Sequence, residues 1–165
     1  MSAARLALAG GAGVSLVAVL ALAEPTIKKW EGYSNDPYRD ITGLNTVCWG
    51  ETAGVQARRY SDAECQAMFR QSAIRHGAPI VACLPAAAPA SVQASFVSFG
   101  YNVGVSAACG STAAQRARRG DYAGACEALT LWNKARNPVT GKLQVSRGLT
   151  NRRADERALC LKGLA

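Results

Sequence analysis

Residues 30–50 read WEGYSNDPYRDITGLNTVCWG, and the interpretation of the whole chain starts from this stretch. Glycine, asparagine, aspartate and threonine alternate with single large apolar residues, which predicts a small twisted β-hairpin. We expect tight turns at Asp36-Pro37 and at Thr42-Gly43. Just before it, Pro25 suits the first position of a short helix that runs to about Gly32.

Two carboxylates in contrasting settings lie within this stretch. Glu31 ends the short helix beside Trp30, where partial burial is expected to raise its pKa. Asp40 follows nine residues later in a polar region and is expected to stay ionised, and the hydroxyl of Thr46 is suited to holding a water. Two carboxyl groups in contrasting environments, such as Glu31 and Asp40, are the least that hydrolysis of a glycosidic bond requires. The alternatives are a Glu31 paired with an arginine and an Asp40 that only builds a turn.

The sequence offers few residues for a metal site, a nucleophilic triad or a nucleotide site. His76 is the only histidine, and we interpret it as a surface residue. There is no Gly-x-Ser-x-Gly motif and no phosphate-binding loop, so we expect no serine triad, no nucleotide site, no metal and no cofactor.

The N-terminus carries eighteen residues without a charge, from Leu6 to Ala23. Ten of them are alanine, glycine or serine, so insertion into a bilayer would be only marginally favourable. The segment fits a signal peptide cleaved after Ala21-Leu22-Ala23, a permanent anchor, or an uncleaved signal that later leaves the membrane. A buried helix of a soluble protein is the structural alternative. The three membrane-directed interpretations place the rest of the chain outside the cytoplasm.

Cysteine content and charge agree with export. Six cysteines follow the apolar segment without a CxxC motif, which favours up to three disulfides in an oxidising compartment. Fifteen pairings are possible, and their spacing selects none.

The chain carries a net charge of +8; residues 81–165 hold eleven basic and four acidic side chains. This half would be attracted to a polyanion such as nucleic acid, an anionic membrane or an acidic wall polymer.

The second half of the chain is patterned as helices. Ser61-Asp62-Ala63-Glu64 is a capping box that opens a helix to about His76. Further helices are expected to start at Ser111 and Asp121. Residues 137–146 are predicted to be a polar loop, and Thr150 is predicted to open a last helix to about Lys162.

Together these segments resemble the phage-type, T4-lysozyme-like muramidases of glycoside hydrolase family 24. The spacing Glu31-x8-Asp40-x5-Thr46 resembles the catalytic pattern of that family, although Pro37 stands where alanine is more usual. The similarity extends over residues 25 to 162 through the motifs SFVSFGYNVG at 95–104, GDYxxAC at 120–126 and GLxxRRxxERxLC at 148–160.

The resemblance implies a mostly helical α+β fold of the two-lobed lysozyme type, preceded by an N-terminal hydrophobic helix. The small α/β lobe would cover about 24–60, a connecting helix 61–76 and the helical lobe about 85–165. The uncleaved apolar start resembles signal-anchor-release endolysins, so residues 1–23 would be the releasable segment and 24–165 the muramidase domain. Some endolysins of this kind carry a cysteine in the anchor that unlocks the active site by disulfide exchange. No cysteine precedes Cys48 in this sequence. The resemblance therefore implies activation by refolding, with the freed segment packing as a helix near the Glu31 helix.

The resemblance also implies a reaction, hydrolysis of the β-1,4 bond between N-acetylmuramic acid and N-acetylglucosamine, with inversion. Glu31 would donate a proton to the leaving oxygen. Asp40 would activate water and stabilise positive charge on the sugar, and Thr46 would hold that water. Arg152 or Arg153 is expected either beside Glu31 or on a solvated helix face.

The implied setting is lysis of a host cell. The expected partners are peptidoglycan and, through residues 6–23, the host inner membrane, before release into the periplasm. We expect a monomer that does not bind nucleic acid. Neighbouring elements of the implied fold, and the cysteines of relatives, give the pairs Cys48–Cys65, Cys83–Cys109 and Cys126–Cys160.

Two rival functions belong to other classes. The chain could be a cationic, disulfide-bonded protein that binds the wall or disrupts membranes without catalysis, in which case lysis would survive Glu31→Gln. It could also be a muramidase-like scaffold with a decayed site, against which the intact Glu31, Asp40 and Thr46 argue.

Overall fold

A computed structural model of the chain describes residues 13–40 and 42–164. Seven α-helices, one 3-10 turn and two β-hairpins follow one another in this described part, in the order α1 Leu16–Glu31, β1 Ser34–Arg39, β2 Asn45–Cys48, α2 Asp62–Ala82, α3 Ala90–Val103, α4 Val105–Gly110, α5 Thr112–Arg118, α6 Tyr122–Ala128, the 3-10 turn Leu129–Leu131, β3 Lys134–Arg136, β4 Leu143–Val145 and α7 Arg147–Leu161.

Helix α1 begins nine residues earlier than the sequence predicts. Ser15 caps it by accepting a hydrogen bond from the Ala18 amide at 3.3 Å, and Pro25 lies inside it rather than at its start. Three residues at four-residue spacing, Val19, Ala23 and Ile27, are fully buried on one face. Because this continuous buried stripe runs on both sides of the proline, packing offsets the hydrogen bond that the proline cannot donate.

The first hairpin has one of its two predicted turns. Strands β1 and β2 are antiparallel, and the register shifts between Ser34 and Tyr38. Asp36-Pro37 lies within β1 at this irregularity, so the turn predicted there is wrong. The turn at Thr42-Gly43 is confirmed, since the Gly43 amide bonds to the Asp40 carbonyl at 2.9 Å and Gly43 has φ +82°.

Helix α3 is the centre of the fold, because every residue from 91 to 100 is buried. Helices α1, α2 and α7 pack around it. Two glycines allow this close approach. A Cβ on Gly100 would meet Ile80 Cδ1 at 2.2 Å, and one on Gly77 would meet Leu20 Cδ2 at 2.6 Å, so neither position has room for a side chain.

Four predicted boundaries or environments in the helical half are wrong. Helix α2 ends at Ala82 rather than near His76, since Pro79 is accommodated inside it. The predicted polar loop at 137–146 contains strand β4 of a second hairpin. Helix α7 begins at Arg147, three residues before Thr150, because Ser146 is its N-cap. His76 is half-buried, with its ring centroid 4.9 Å from that of Tyr101.

Disulfides join neighbouring elements of the fold. The structure links β2 to α2, the end of α2 to α4, and α6 to α7. These are the pairs that the resemblance implies, Cys48–Cys65, Cys83–Cys109 and Cys126–Cys160.

Residues 1–12, which hold most of the uncharged N-terminal segment, lie outside the described residues. Within 13–40 and 42–164, no helix has both the length and the apolar character that a membrane span requires.

Candidate active site

Glu31 is the last residue of α1, and Gly32 ends the helix with φ +73°. The Glu31 side chain is 22% exposed, and its Oε1 lies 2.8 Å from Arg152 Nη2 of α7. Its other oxygen, Oε2, faces the turn after β2, since a Cβ on Gly50 would lie 3.9 Å from it. The carboxyl group is therefore held between a buried cation and a backbone without a side chain, not in a purely apolar setting.

Arg152 is itself fixed by a buried charge cluster. Its Nε lies 3.2 Å from Glu156 Oε1, and its Nη2 donates to the Ser98 carbonyl at 3.3 Å. Arg153 lies 2.8 Å from the other Glu156 oxygen. All three charged side chains are at most 5% exposed, so the solvated-face alternative for Arg152 and Arg153 is wrong. Burial raises the pKa of Glu156 and lowers that of Arg153 to about 10.

Asp40 is held by its own turn. Its Oδ1 accepts hydrogen bonds from the Thr42 amide at 2.8 Å, the Thr42 hydroxyl at 2.7 Å and the Leu44 amide at 3.0 Å. The Thr42 hydroxyl is the largest cause of a lowered Asp40 pKa. The carboxylate is therefore ionised at neutral pH, as its polar surroundings predict.

Thr46 lies on β2 beside Asp40. Its side chain is buried, with 3% of the residue exposed. Its hydroxyl donates to the Leu44 carbonyl at 3.2 Å, and its closeness to Asp40 is a minor cause of the lowered Asp40 pKa. The hairpin thus brings Asp40 and Thr46 together, while Glu31 belongs to the helix and to Arg152. No hydrogen bond joins Glu31 to Asp40 in the part of the chain that the structure describes.

Sequence reasoning missed several groups around Glu31. Lys28 Nζ lies 3.8 Å from the centroid of the Trp49 ring and 2.6 Å from Glu24. Glu51 is 5% exposed. Tyr101 has its pKa raised to about 12, mainly by burial. Of these residues only Tyr101 lies in a quoted motif, SFVSFGYNVG at 95–104. The only signal for Glu51 is its position directly after the motif glycine, Gly50.

The described residues contain no group of three or more histidine, cysteine, aspartate or glutamate side chains able to hold a metal ion.

Comparison with known proteins gives the family. The phage lysozyme family model matches residues 28–156. The SAR-endolysin of Bacteriophage PS119 is 33% identical over 159 residues, which cover 95% of this chain and 91% of that protein. The SAR-endolysin of Pseudomonas phage phiKMV is 34% identical over 146 residues, 88% of this chain and 89% of the relative.

Solved structures agree on the fold. The endolysin from Escherichia coli O157:H7 phage FAHEc1 is 25% identical with a TM-score of 0.74, over 86% of this chain and 91% of that one. The active form of P1 phage endolysin Lyz has a TM-score of 0.75 at 23% identity, over 94% and 98%. The secreted inactive form of the same endolysin has a TM-score of only 0.50 at 20% identity, over 90% and 96%.

The expected α+β lysozyme fold is therefore confirmed, and so is the enzyme class. Since the family model covers most of the chain and the curated relatives cover nearly all of it, the chain belongs to the phage lysozyme family and is a peptidoglycan-cleaving lysozyme of the endolysin type.

Proposed function

We propose that Glu31 is the general acid of this lysozyme and protonates the leaving glycosidic oxygen. The support is its placement, because the carboxyl group is partly open to solvent while Arg152 fixes one of its oxygens. A rigidly held acid needs little reorganisation when the proton moves. Glu156 and the Ser98 carbonyl hold the Arg152 side chain in place, so its position beside Glu31 should not change when substrate binds.

Asp40 is the second carboxylate of the reaction. Its lowered pKa keeps it charged, so it orients and deprotonates a water and stabilises positive charge on the sugar ring. Thr46 lies beside it and holds that water through its hydroxyl. A water held by Asp40 and Thr46 would attack the face of the sugar opposite the leaving oxygen, so the proposed reaction inverts the anomeric centre.

The catalytic roles are tested with Glu31→Gln on purified peptidoglycan. We expect turnover to fall at least ~10²-fold, the lower end of what one general acid contributes, with a nearly unchanged melting temperature because Arg152 keeps its hydrogen bonds to Glu156 and Ser98. Glu127→Gln, a matched change at an exposed carboxylate, should leave turnover unchanged. NMR of the first product should show the inverted anomer. Wild-type turnover in Glu31→Gln would refute the role, and a retained anomer would refute inversion.

We also propose that residues 6–23 first tether the enzyme to the inner membrane in an inactive state, and that release into the periplasm activates it. One observation carries this proposal: the end of the apolar segment and the helix bearing Glu31 are a single helix, α1. Val19 and Ala23 belong to the segment, and both are fully buried in the protein core.

A residue in the hydrocarbon layer of a bilayer cannot also pack in the protein core. Tethering and the packing of α1 are therefore alternative states, and insertion draws the N-terminal half of the Glu31 helix away from α3. The resemblance of this structure to the active form of P1 phage endolysin Lyz, rather than to its inactive form, supports assigning the described conformation to the released enzyme.

The tether is tested by fractionating cells that produce the enzyme, before and after a protonophore collapses the membrane potential. We expect the protein in the membrane pellet before treatment and in the periplasmic fraction as a monomer afterwards. Protein already in the periplasm before treatment would contradict the tether, and protein still in the pellet afterwards would contradict release.

A further inference from the structure

The second hairpin, formed by β3 and β4, has a face that is both apolar and cationic. All of its strand residues are exposed. The register pairs Lys134 with Val145 and Arg136 with Leu143. Because residues paired across antiparallel strands project from the same face, these four side chains form one surface, the hairpin face. A cation lies directly opposite each apolar side chain.

Further apolar side chains are exposed in the same stretch of chain. Val139, in the turn between the strands, is 91% exposed. Asn137 fixes this turn, since its side-chain oxygen accepts from the Val139 amide at 2.8 Å. Leu131 and Trp132, just before β3, are also exposed. Five of the eleven large apolar side chains that the described residues expose thus lie between 131 and 145, and such clustering indicates an interaction surface.

The charge of this stretch is entirely positive. No aspartate or glutamate occurs between Glu127 and Asp155. Those two acids pair with other cations, Glu127 with Arg157 at 2.5 Å and Asp155 with Lys29 at 2.6 Å. The exposed cations between them are Lys134, Arg136, Lys142 and Arg147. The sequence around these cations offers no counter-charge, so the hairpin would attract an anionic partner.

A lipid surface with anionic headgroups fits this combination of side chains best. Lys134 and Arg136 would meet the phosphate groups, while Leu143 and Val145 beside them would enter the outermost apolar layer. A wall polymer or a nucleic acid would use the charge but leave the apolar side chains in water. A second copy of the chain would bring like charges together, because the cations and the apolar groups share one face.

We propose that the β3–β4 hairpin is a second membrane contact, by which the folded enzyme binds anionic lipid surfaces reversibly and without inserting a helix. The contact uses residues 131–145 rather than residues 6–23, so it is independent of the tether proposed above. Each lysine or arginine near an anionic surface strengthens binding about 5-fold. Binding by a few such groups is lost on dilution, so the released enzyme is still recovered in the periplasmic fraction.

The charged part of the contact is tested by sedimenting the purified full-length enzyme with vesicles that contain phosphatidylglycerol and with vesicles of phosphatidylcholine alone. Because residues 6–23 carry no charge, the ratio of the two partition coefficients measures the electrostatic contact. Lys134→Gln with Arg136→Gln should lower this ratio at least ~10-fold. Arg119→Gln with Lys162→Gln, the same change at exposed cations outside the hairpin, should lower it far less. An equal loss in both pairs, or an unchanged ratio in the first, would overturn the proposal.

The apolar part distinguishes a lipid surface from any other polyanion. Leu143→Thr with Val145→Thr keeps the charge and the strand propensity of the hairpin, and binding to phosphatidylglycerol vesicles should fall at least ~5-fold. Gln144→Thr, on the opposite face, should bind like the wild-type enzyme. Binding that needs the cations but not these two apolar residues would overturn the lipid assignment and indicate a wall polymer. If the double variant does not fold, Val139→Thr in the exposed turn should also weaken binding, and wild-type binding by that variant would contradict the proposal.

Discussion

Replacing Val19 with alanine separates the two roles that we assign to helix α1. Val19 is fully buried, whereas Val17, two residues earlier, is 78% exposed. Both lie in the uncharged segment, so Val17→Ala and Val19→Ala remove the same amount of apolar surface from a membrane-inserted state. Only Val19→Ala removes it from the core of the released enzyme.

The expected magnitude follows from burial. Val19→Ala removes two methyl groups from a fully buried position. The lost transfer free energy is about 1.6 kcal/mol, at ~0.8 kcal/mol for each group. The residual cavity raises the loss to about 2–3 kcal/mol of unfolding free energy. At the exposed position, Val17→Ala should change the unfolding free energy by no more than ~0.5 kcal/mol.

The assay is urea denaturation of the released, oxidised enzyme, followed by circular dichroism, together with membrane fractionation of each variant. Retention in the membrane should fall equally in both variants, while only Val19→Ala should lose stability. Equal stability of the two variants would show that residue 19 does not pack in the active enzyme, and would refute the placement of the segment in α1.

Three further predictions follow from single contacts. Thr42→Ala removes the donor that most lowers the Asp40 pKa; because activity is lost as pH falls through that pKa, the acid limb of the kcat/KM profile should move to higher pH. Arg152→Ala leaves Glu156 without one of its two arginines and should cost about 3–5 kcal/mol in denaturant unfolding. Gly13 faces open space in the fold, so Gly13→Leu should leave the melting temperature unchanged. The added leucine strengthens anchoring in the membrane, so lysis after induction should be delayed. Lysis on the wild-type schedule would contradict this.

The fold class and the site motif were predictable because both depend on local patterns. Caps such as Ser61 and Asp121 act over three residues, and the hairpin turn at Thr42-Gly43 needs only its own residues. The motifs that resemble phage lysozymes follow one another in order along residues 25 to 162, and together they identify the family from the sequence.

The errors arose where tertiary packing overrides a local signal. The sequence predicts that Pro25 opens a helix and that the helix capped by Ser61 ends near His76. Pro25 and Pro79 instead lie inside helices whose buried faces continue past them. The burial of Glu51 could not be predicted, because it depends on contacts with other elements that no sequence pattern reports. The sequence alone allows two environments for Arg152, beside Glu31 or on a solvated helix face, since only the contact of α7 with α1 decides between them.

The central claim, that one helix first tethers the enzyme and then carries its catalytic acid, is tested most directly by the intact mass of active enzyme purified from the periplasm after release. We predict a mass that includes residues 1–23, apart from any removal of the initiator methionine. Fully active enzyme beginning at Glu24 would contradict the claim and identify residues 1–23 as a cleaved signal peptide.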